Sequence, residues 1–128
     1  MVMNYRKRVD LMYNLVYVIG RLTKEVELVK DENGKAYSVI NLAVQRSYKN
    51  VDGIYETDFV DVRLHRGIAE STAEYCKKGD LVGIRGRVEN HFEEKDGEKI
   101  SKTIIVGDRI SFLAAQKPHD KKDEIEMD

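Results

Sequence analysis

The chain has 128 residues, of which 41% are hydrophobic and 35% charged, enough for one globular domain with a sizeable core. No apolar run approaches the roughly 18 residues of a membrane span. A single cysteine excludes an internal disulfide or a Cys-rich zinc site, and His65, His91 and His119 lack metal-ligand spacing. The net charge of −1 does not announce a nucleic-acid partner, but the charge is uneven: residues 1–30 hold six Lys/Arg against three Asp/Glu, and residues 116–128 three against five.

Residues 1–11 read as an N-terminal extension, with Met3 and Met12 as further candidate starts. Basic Arg6, Lys7 and Arg8 precede an apolar segment, Leu15 to Ile19, that is too short for a signal-peptide core and lacks a small-residue cleavage site. A cytoplasmic protein is expected. The first strand runs from Asn14 to Leu22 and is nearly all apolar, as a strand covered on both faces would be. Val26 to Lys30 continues extended. Asp31-Glu32-Asn33-Gly34 is a turn whose Asn-Gly pair signals a hairpin.

The second strand spans about Lys35 to Ser47, where Ile40, Leu42 and Val44 alternate with Asn41, Ala43 and Gln45. A loop, Lys49 to Gly53, leads to the third strand, Tyr55 to Arg66. Val60, Val62 and Leu64 share one of its faces, and Phe59, Asp61, Arg63 and His65 the other. Gly67 to Lys77 reads as the one well-formed helix, with Ile68, Thr72, Tyr75 and Cys76 at helical spacing and Lys77-Lys78-Gly79 as its stop. The fourth strand, Leu81 to Phe92, buries Val82, Ile84 and Val88. Lys95-Asp96-Gly97 turns the chain into the fifth strand, Lys99 to about Leu113. From Gln116 the chain is polar and charged and is expected to be disordered.

Three strands, a helix and two strands is the order of an all-β, five-stranded OB-fold Greek-key barrel. The helix between strands three and four plugs one end, and strands four and five form a long hairpin. The domain plan is an extension (1–11), the barrel (12–115) and a short acidic tail (116–128).

Phe59 is the sharpest functional candidate. An aromatic set between cationic and polar residues can stack on a base while its neighbours meet phosphate. From alternation alone, the position equally suits a residue packed under a loop or in a subunit contact. Tyr48, beside Arg46 and Lys49, repeats the pairing, with a turn tyrosine as its plain alternative. Arg21, Lys24, Arg46, Lys49, Arg63, Arg66, Arg85 and Arg87 are candidate phosphate contacts, informative as a track rather than singly. No phosphate-binding glycine loop, nucleophile elbow, catalytic constellation or metal cluster can be assembled, and Cys76 reads as a small buried hydrophobe. No enzyme activity, cofactor or metal is expected.

Taken in order, Met12 to Lys24, Glu27-Leu28, Asn33-Gly34, Asn41 to Val44, Thr57 to Val60, Ala69-Glu70, Tyr75 to Asp80, Gly83 to Val88 and Ser111-Phe112-Leu113 resemble the bacterial single-stranded DNA-binding protein (SSB) family. The resemblance covers about residues 12–113. It implies a homotetramer of OB folds that binds single-stranded DNA without reading its sequence, at the nucleoid, in replication, recombination and repair. It also implies that Tyr48 and Phe59 stack on bases and that His65 stands where the family often has a further aromatic. The fourth-strand aromatic of the family lies seven residues after the glycine matching Gly86, whereas Phe92 lies six after it. Alternation puts Phe92 on the core side with Val88. It would reach DNA only through a bulge, and His91 is the stand-in without one. Glu89 sits where the family often carries Arg. The tail is acidic but lacks the terminal Pro-Phe by which the family recruits replication and repair enzymes.

Two other readings stand beside DNA protection. One keeps the fold and makes the chain a protein-interaction accessory of the replication or primosome machinery with weak DNA affinity, favoured by the near-neutral charge and by Glu89, His91 and Glu93. The other is an OB-fold nuclease, for which no metal-binding carboxylate group is found.

Overall fold

A computed structural model describes residues 12–116. The expected extension and all of the expected tail except Gln116 lie outside the described residues. The chain forms β1 (Val16–Leu22), β2 (Val29–Lys30), β3 (Ala36–Lys49), β4 (Tyr55–His65), helix α1 (Arg66–Tyr75), β5 (Leu81–Lys95) and β6 (Glu98–Ala114). The strands lie in the order β1-β5-β6-β4-β3, and β3 returns to pair with β1. This is the expected closed five-stranded barrel with one helix between its third and fourth strands. The two-residue β2 is an appendage on the edge of β3.

Closure depends on β1 serving two neighbours. Val16 to Arg21 pair with β5, while Arg21 and Leu22 pair with Ala43 and Leu42 of β3. Gly20 sits where the strand passes from one partner to both, and a Cβ there would stand 2.6 Å from the Ala43 carbonyl oxygen. The junction is fastened by backbone bonds from Leu22 N to Asp80 O (3.0 Å), Gly79 N to Leu22 O (2.7 Å) and Thr23 N to Asn41 O (3.0 Å).

Alternation fills the barrel. Leu22, Ile40, Leu42, Val62, Leu64, Val82 and Ile84 point inward, and Val44, Val60, Ile105 and Ile110 pack around them. Helix α1 closes one end with Ala69 and Thr72, followed by Cys76 at its C-cap. Cys76 is buried as expected, and that burial, with Asp80 nearby, pushes its thiol pKa up. Tyr75, placed by sequence with the packing residues, is instead exposed. Ala69, Thr72 and Cys76 are spaced three and four apart and hold one stripe, which leaves Tyr75 beside it.

The turns follow their chemistry. Asp96 (φ 54°) and Gly97 (φ 80°) are both left-handed, as a two-residue type I′ hairpin loop requires. The Asn33-Gly34 turn is built differently. Only Gly34 is left-handed, and Asp31 Oδ1 accepts from the backbone N–H groups of Asn33 and Lys35. The loop before β4 repeats this plan, with Asn50 Oδ1 accepting from Asp52 and Ile54 and with Gly53 left-handed.

The β5–β6 hairpin is longer than the sequence suggested. It pairs without a break from Gly86 to Lys95, whereas β4 meets β6 only at Val62 to Leu64 against Ile105 to Gly107. The distal half of the hairpin therefore projects beyond the barrel as an arm. The two irregularities sit on β6, at Asp108 and Leu113, each an extra residue opposite β5.

Gly86 lies against this ladder, and a Cβ there would collide with the Val106 carbonyl oxygen, which is backbone and cannot move aside. Gly86→Ala is expected to destabilise the fold by about 1–3 kcal/mol. Urea unfolding checks this, and an unchanged midpoint would contradict it.

Candidate nucleic-acid interface

Residues directly opposed across two strands project to the same side of a sheet. The register therefore sorts the predicted residues onto surfaces. On the outer side of β4, Phe59, Asp61, Arg63 and His65 lie opposite Ala43, Asn41, Val39 and Tyr37 of β3. On the same outer side, Arg85, Arg87, Glu89 and His91 of β5 lie opposite Arg109, Val106, Ile104 and Lys102 of β6. One continuous face thus carries an exposed phenyl ring (Phe59, 68% exposed), two imidazoles and several guanidiniums. Arg87, Val106 and Arg63 form one row. Val106 is only 3% exposed yet does not belong to the core cluster. Long arginine stems beside it can supply such cover while their charged heads stay in water.

Several of the cations are paired. Arg87 pairs with Glu89 (2.6 Å), which also holds His91 (2.9 Å). Arg85 pairs with Asp108 (3.0 Å). Arg46 makes a two-pronged contact with Asp58 (2.9 and 3.0 Å) and a third with Glu56 (2.7 Å). Arg21 donates to the Gly79 carbonyl (2.9 Å) and is part of the fold's closure. Arg63 has a different partner: its guanidinium lies 5.3 Å from the centre of the Tyr37 ring. Sequence reading missed Tyr37, although it continues the outward register of Val39 and Asn41 and was open to the same alternation argument. Lys102 could not be singled out, because nothing in the sequence sets it apart from the neighbouring Lys95 and Lys99.

Tyr48 is exposed (62%) at the far end of β3, where two extra residues interrupt the pairing with β4 between Gln45 and Lys49. Arg46 pins this irregular stretch to Glu56 and Asp58. Glu56 also accepts from the Asn50 side chain (3.1 Å), so one carboxylate ties the bulge to the loop. The Arg46 contact holds the Asp58 carboxyl below the usual carboxylate range. Lys49 sits over Tyr55 (5.6 Å). Lys24 and Arg66 are exposed, the first in the loop after β1 and the second at the start of α1.

On the arm, β5 has no bulge between Gly86 and Lys95. Phe92 therefore stays on the side of Val88 and Asn90, opposite to His91. It is nevertheless exposed (60%), because the arm has left the barrel, and Lys99 lies over its ring (4.7 Å).

Where β6 peels away from β4, the split leaves an open groove of about 480 Å³. Phe59, Val60 and Asp61 form one wall and Lys102, Thr103 and Ile104 the other. A flat apolar ring with an anionic chain alongside matches this surface: Phe59 offers a stacking face, and Arg63 and Lys102 flank it with positive charge.

The Single-strand binding protein family model matches residues 13–113. The chain belongs to the single-strand binding protein family. Among family relatives, "Single-stranded DNA-binding protein B" of Bacillus subtilis is 40% identical over 111 residues, 86% of this chain and 97% of that protein. "Single-stranded DNA-binding protein 4" of Streptococcus agalactiae is 39% identical over 118 residues, 91% of this chain and 84% of that one. The crystal structure of the wild-type single-stranded DNA-binding protein from Thermus aquaticus superimposes with a TM-score of 0.68 at 31% identity, over 81% of this chain and 52% of that one. No helix among the described residues is long and apolar enough to cross a membrane.

His65 gives this family member a measurable handle. Burial, then Arg63, Arg87 and Arg66, lower its pKa, and only Glu89 opposes them. A base with a depressed pKa in the fold leaves stability intact above its unfolded value of about 6.5 and removes it as pH falls from there towards the folded value. The depressed carboxylates Asp58 and Glu89 act in a lower window, below their unfolded values near 4. Between pH 7 and 5.5, thermal stability should therefore decline less in His65→Gln than in the unsubstituted protein. Identical slopes would count against this account.

Proposed function

We propose that the protein binds single-stranded DNA, stacking bases on aromatics and meeting phosphates with Lys and Arg, and protects the strand during replication, recombination and repair. The observation that carries the reading is the exposed Phe59 beside Arg63 and Lys102 on one outer face, in a member of a family whose cited relatives are named for single-stranded DNA binding. Phe59 and Tyr48 are the proposed leading stacking residues. His65 and His91 lie on or beside the same path, and Phe92 on the far side of the arm. Arg63, Arg66, Arg85, Arg87, Arg46, Lys49, Lys24 and Arg21 are the proposed phosphate track, with Arg21 the most committed to structure. The DNA-binding unit is proposed to be residues 12–115.

We further propose that the chain acts as a homotetramer. Tyr17 and Ile19 are exposed on the outer side of β1, with Tyr13 and Leu15 just before them, and most of that strand has a partner on one edge only. Apolar side chains beside an open strand edge fit a second copy better than water. Sedimentation equilibrium is expected to return four chain masses, and to return fewer for Ile19→Lys. A monomer at micromolar concentration would dispose of the tetramer.

A second reading has one specific observation behind it. Glu89 neutralises Arg87 and hydrogen-bonds His91 on the outer face, which suits a protein-interaction accessory with weak DNA affinity. Titration with oligo-dT at two salt concentrations separates the two. DNA protection predicts tight binding that weakens with salt, and a loss of about 1–3 kcal/mol for each of Phe59→Ala and Tyr48→Ala. Negligible affinity together with a captured protein partner would select the second reading, and unchanged affinity in the double variant would remove the stacking account.

A further inference from the structure

The groove beside Phe59 contains a polar device that phosphate binding does not need. Thr23 Oγ1 donates to Asn41 Oδ1 (2.7 Å), and Asn41 Nδ2 donates to Asp61 Oδ1 (2.8 Å). A carboxylate can only accept, so Asp61 fixes which end of the Asn41 amide faces it: the NH2 group turns to Asp61 and the oxygen to the Thr23 hydroxyl. The second bond holds the Asp61 carboxylate in place at the groove wall, two residues from Phe59. Asp61 Oδ2 has no hydrogen-bond partner among the described residues, and no Lys or Arg among them pairs with Asp61. Across the groove, the Thr103 hydroxyl donates to Asn90 (3.1 Å), leaving acceptor capacity there as well. A negative charge on a phosphate-binding face is costly unless it has a use.

We propose that Asp61, oriented by the Thr23–Asn41 relay, is a base-discriminating residue that accepts a hydrogen bond from the exocyclic amino group of a base stacked on Phe59. This inference rests on the proposed DNA binding and refines it: affinity remains largely sequence-independent, with a bias towards amino-bearing bases. The chemistry of the bases supplies the direction. Cytosine and adenine carry an amino group on the edge they present, and a carboxylate accepts from cytosine N4 in known base contacts. Thymine and uracil offer one donor on that edge, N3–H, flanked on both sides by carbonyl oxygens that repel a carboxylate. Arg63 and Lys102 do not offset this, because every base has an acceptor for them and both also face phosphate.

The test compares 30-residue oligo-dC and oligo-dU, whose bases differ only at position 4 and in the N3 proton, in fluorescence titrations with the full chain. Three proteins are compared: unsubstituted, Asp61→Ala and Asp61→Asn. The ratio of dC to dU affinity is expected to fall about fivefold in Asp61→Ala, the scale of one hydrogen bond. In Asp61→Asn, which keeps the shape and removes the acceptor-only carboxylate, it should fall as well. Thermal melts confirm that each variant is folded, and Asn41→Ala, which frees the carboxylate, should lower the ratio in the same direction. A rise in affinity by the same factor for both oligonucleotides would make Asp61 a mere phosphate repellent and overturn the inference while leaving DNA binding intact. Failure of the unsubstituted protein to bind either oligonucleotide would overturn the proposed function and this inference with it.

Discussion

The structure turns on how β1 closes the barrel. One seven-residue strand has to hold β5 along most of its length and β3 at its end, and it does so by passing Gly20 against the Ala43 carbonyl. A side chain there would push β3 away and open the sheet. Once the barrel is closed, inside and outside are fixed for every strand, because the side-chain period is two and a slip of one residue would exchange the faces. The outer row from Arg87 through Val106 to Arg63 is a consequence of that closure. So is the groove: the β5–β6 hairpin is longer than the barrel can use, its surplus leaves β4 beyond Ile105, and the departure exposes a split beside Phe59.

The same geometry explains how a chain of net charge −1 can offer a surface to an anion. Carboxylates sit beside arginines in the register, as Glu89 does for Arg87 and Asp108 for Arg85. Exposed pairs of this kind contribute only about 0–1 kcal/mol. Under the proposed function, an incoming phosphate can therefore replace the carboxylate at small cost. Arg63 differs, since its partner is the Tyr37 ring and no carboxylate among the described residues pairs with it. Summed charge records none of this, because it counts the carboxylates without asking how weakly they are held.

Much of this was legible in the sequence. Alternation in Val60-Asp61-Val62-Arg63-Leu64-His65 placed core and outer face correctly, and the Asp96-Gly97 pair named its own turn type. Three things were not legible. Tyr75 matched a helical period only loosely, and the buried stripe runs through Ala69 and Thr72 instead. The Asn33-Gly34 pair pointed to a hairpin, but the capping role of Asp31 made it a different turn from the one those two residues favour alone. The carboxylate partners of Arg46, Arg85 and Arg87 depended on strand register and on the bulge at Asp108, and register is a property of pairs of strands rather than of either one.

The arm shows how far one such detail reaches. A bulge in β5 would have brought Phe92 onto the face of Phe59 and His65. The extra residues lie instead on β6, at Asp108 and Leu113, close to the barrel, and β5 runs evenly from Gly86 to Lys95. The arm therefore presents two unlike sides: Arg87, Glu89 and His91 with Lys102 on one, and Phe92 under Lys99 on the other. Under the proposed function, a strand following the outer face from Phe59 meets imidazole and lysine first and reaches Phe92 only by crossing the arm's edge. That path separates the two aromatics into different binding segments, and it makes the arm a place where a strand changes faces rather than a continuation of the platform on β4.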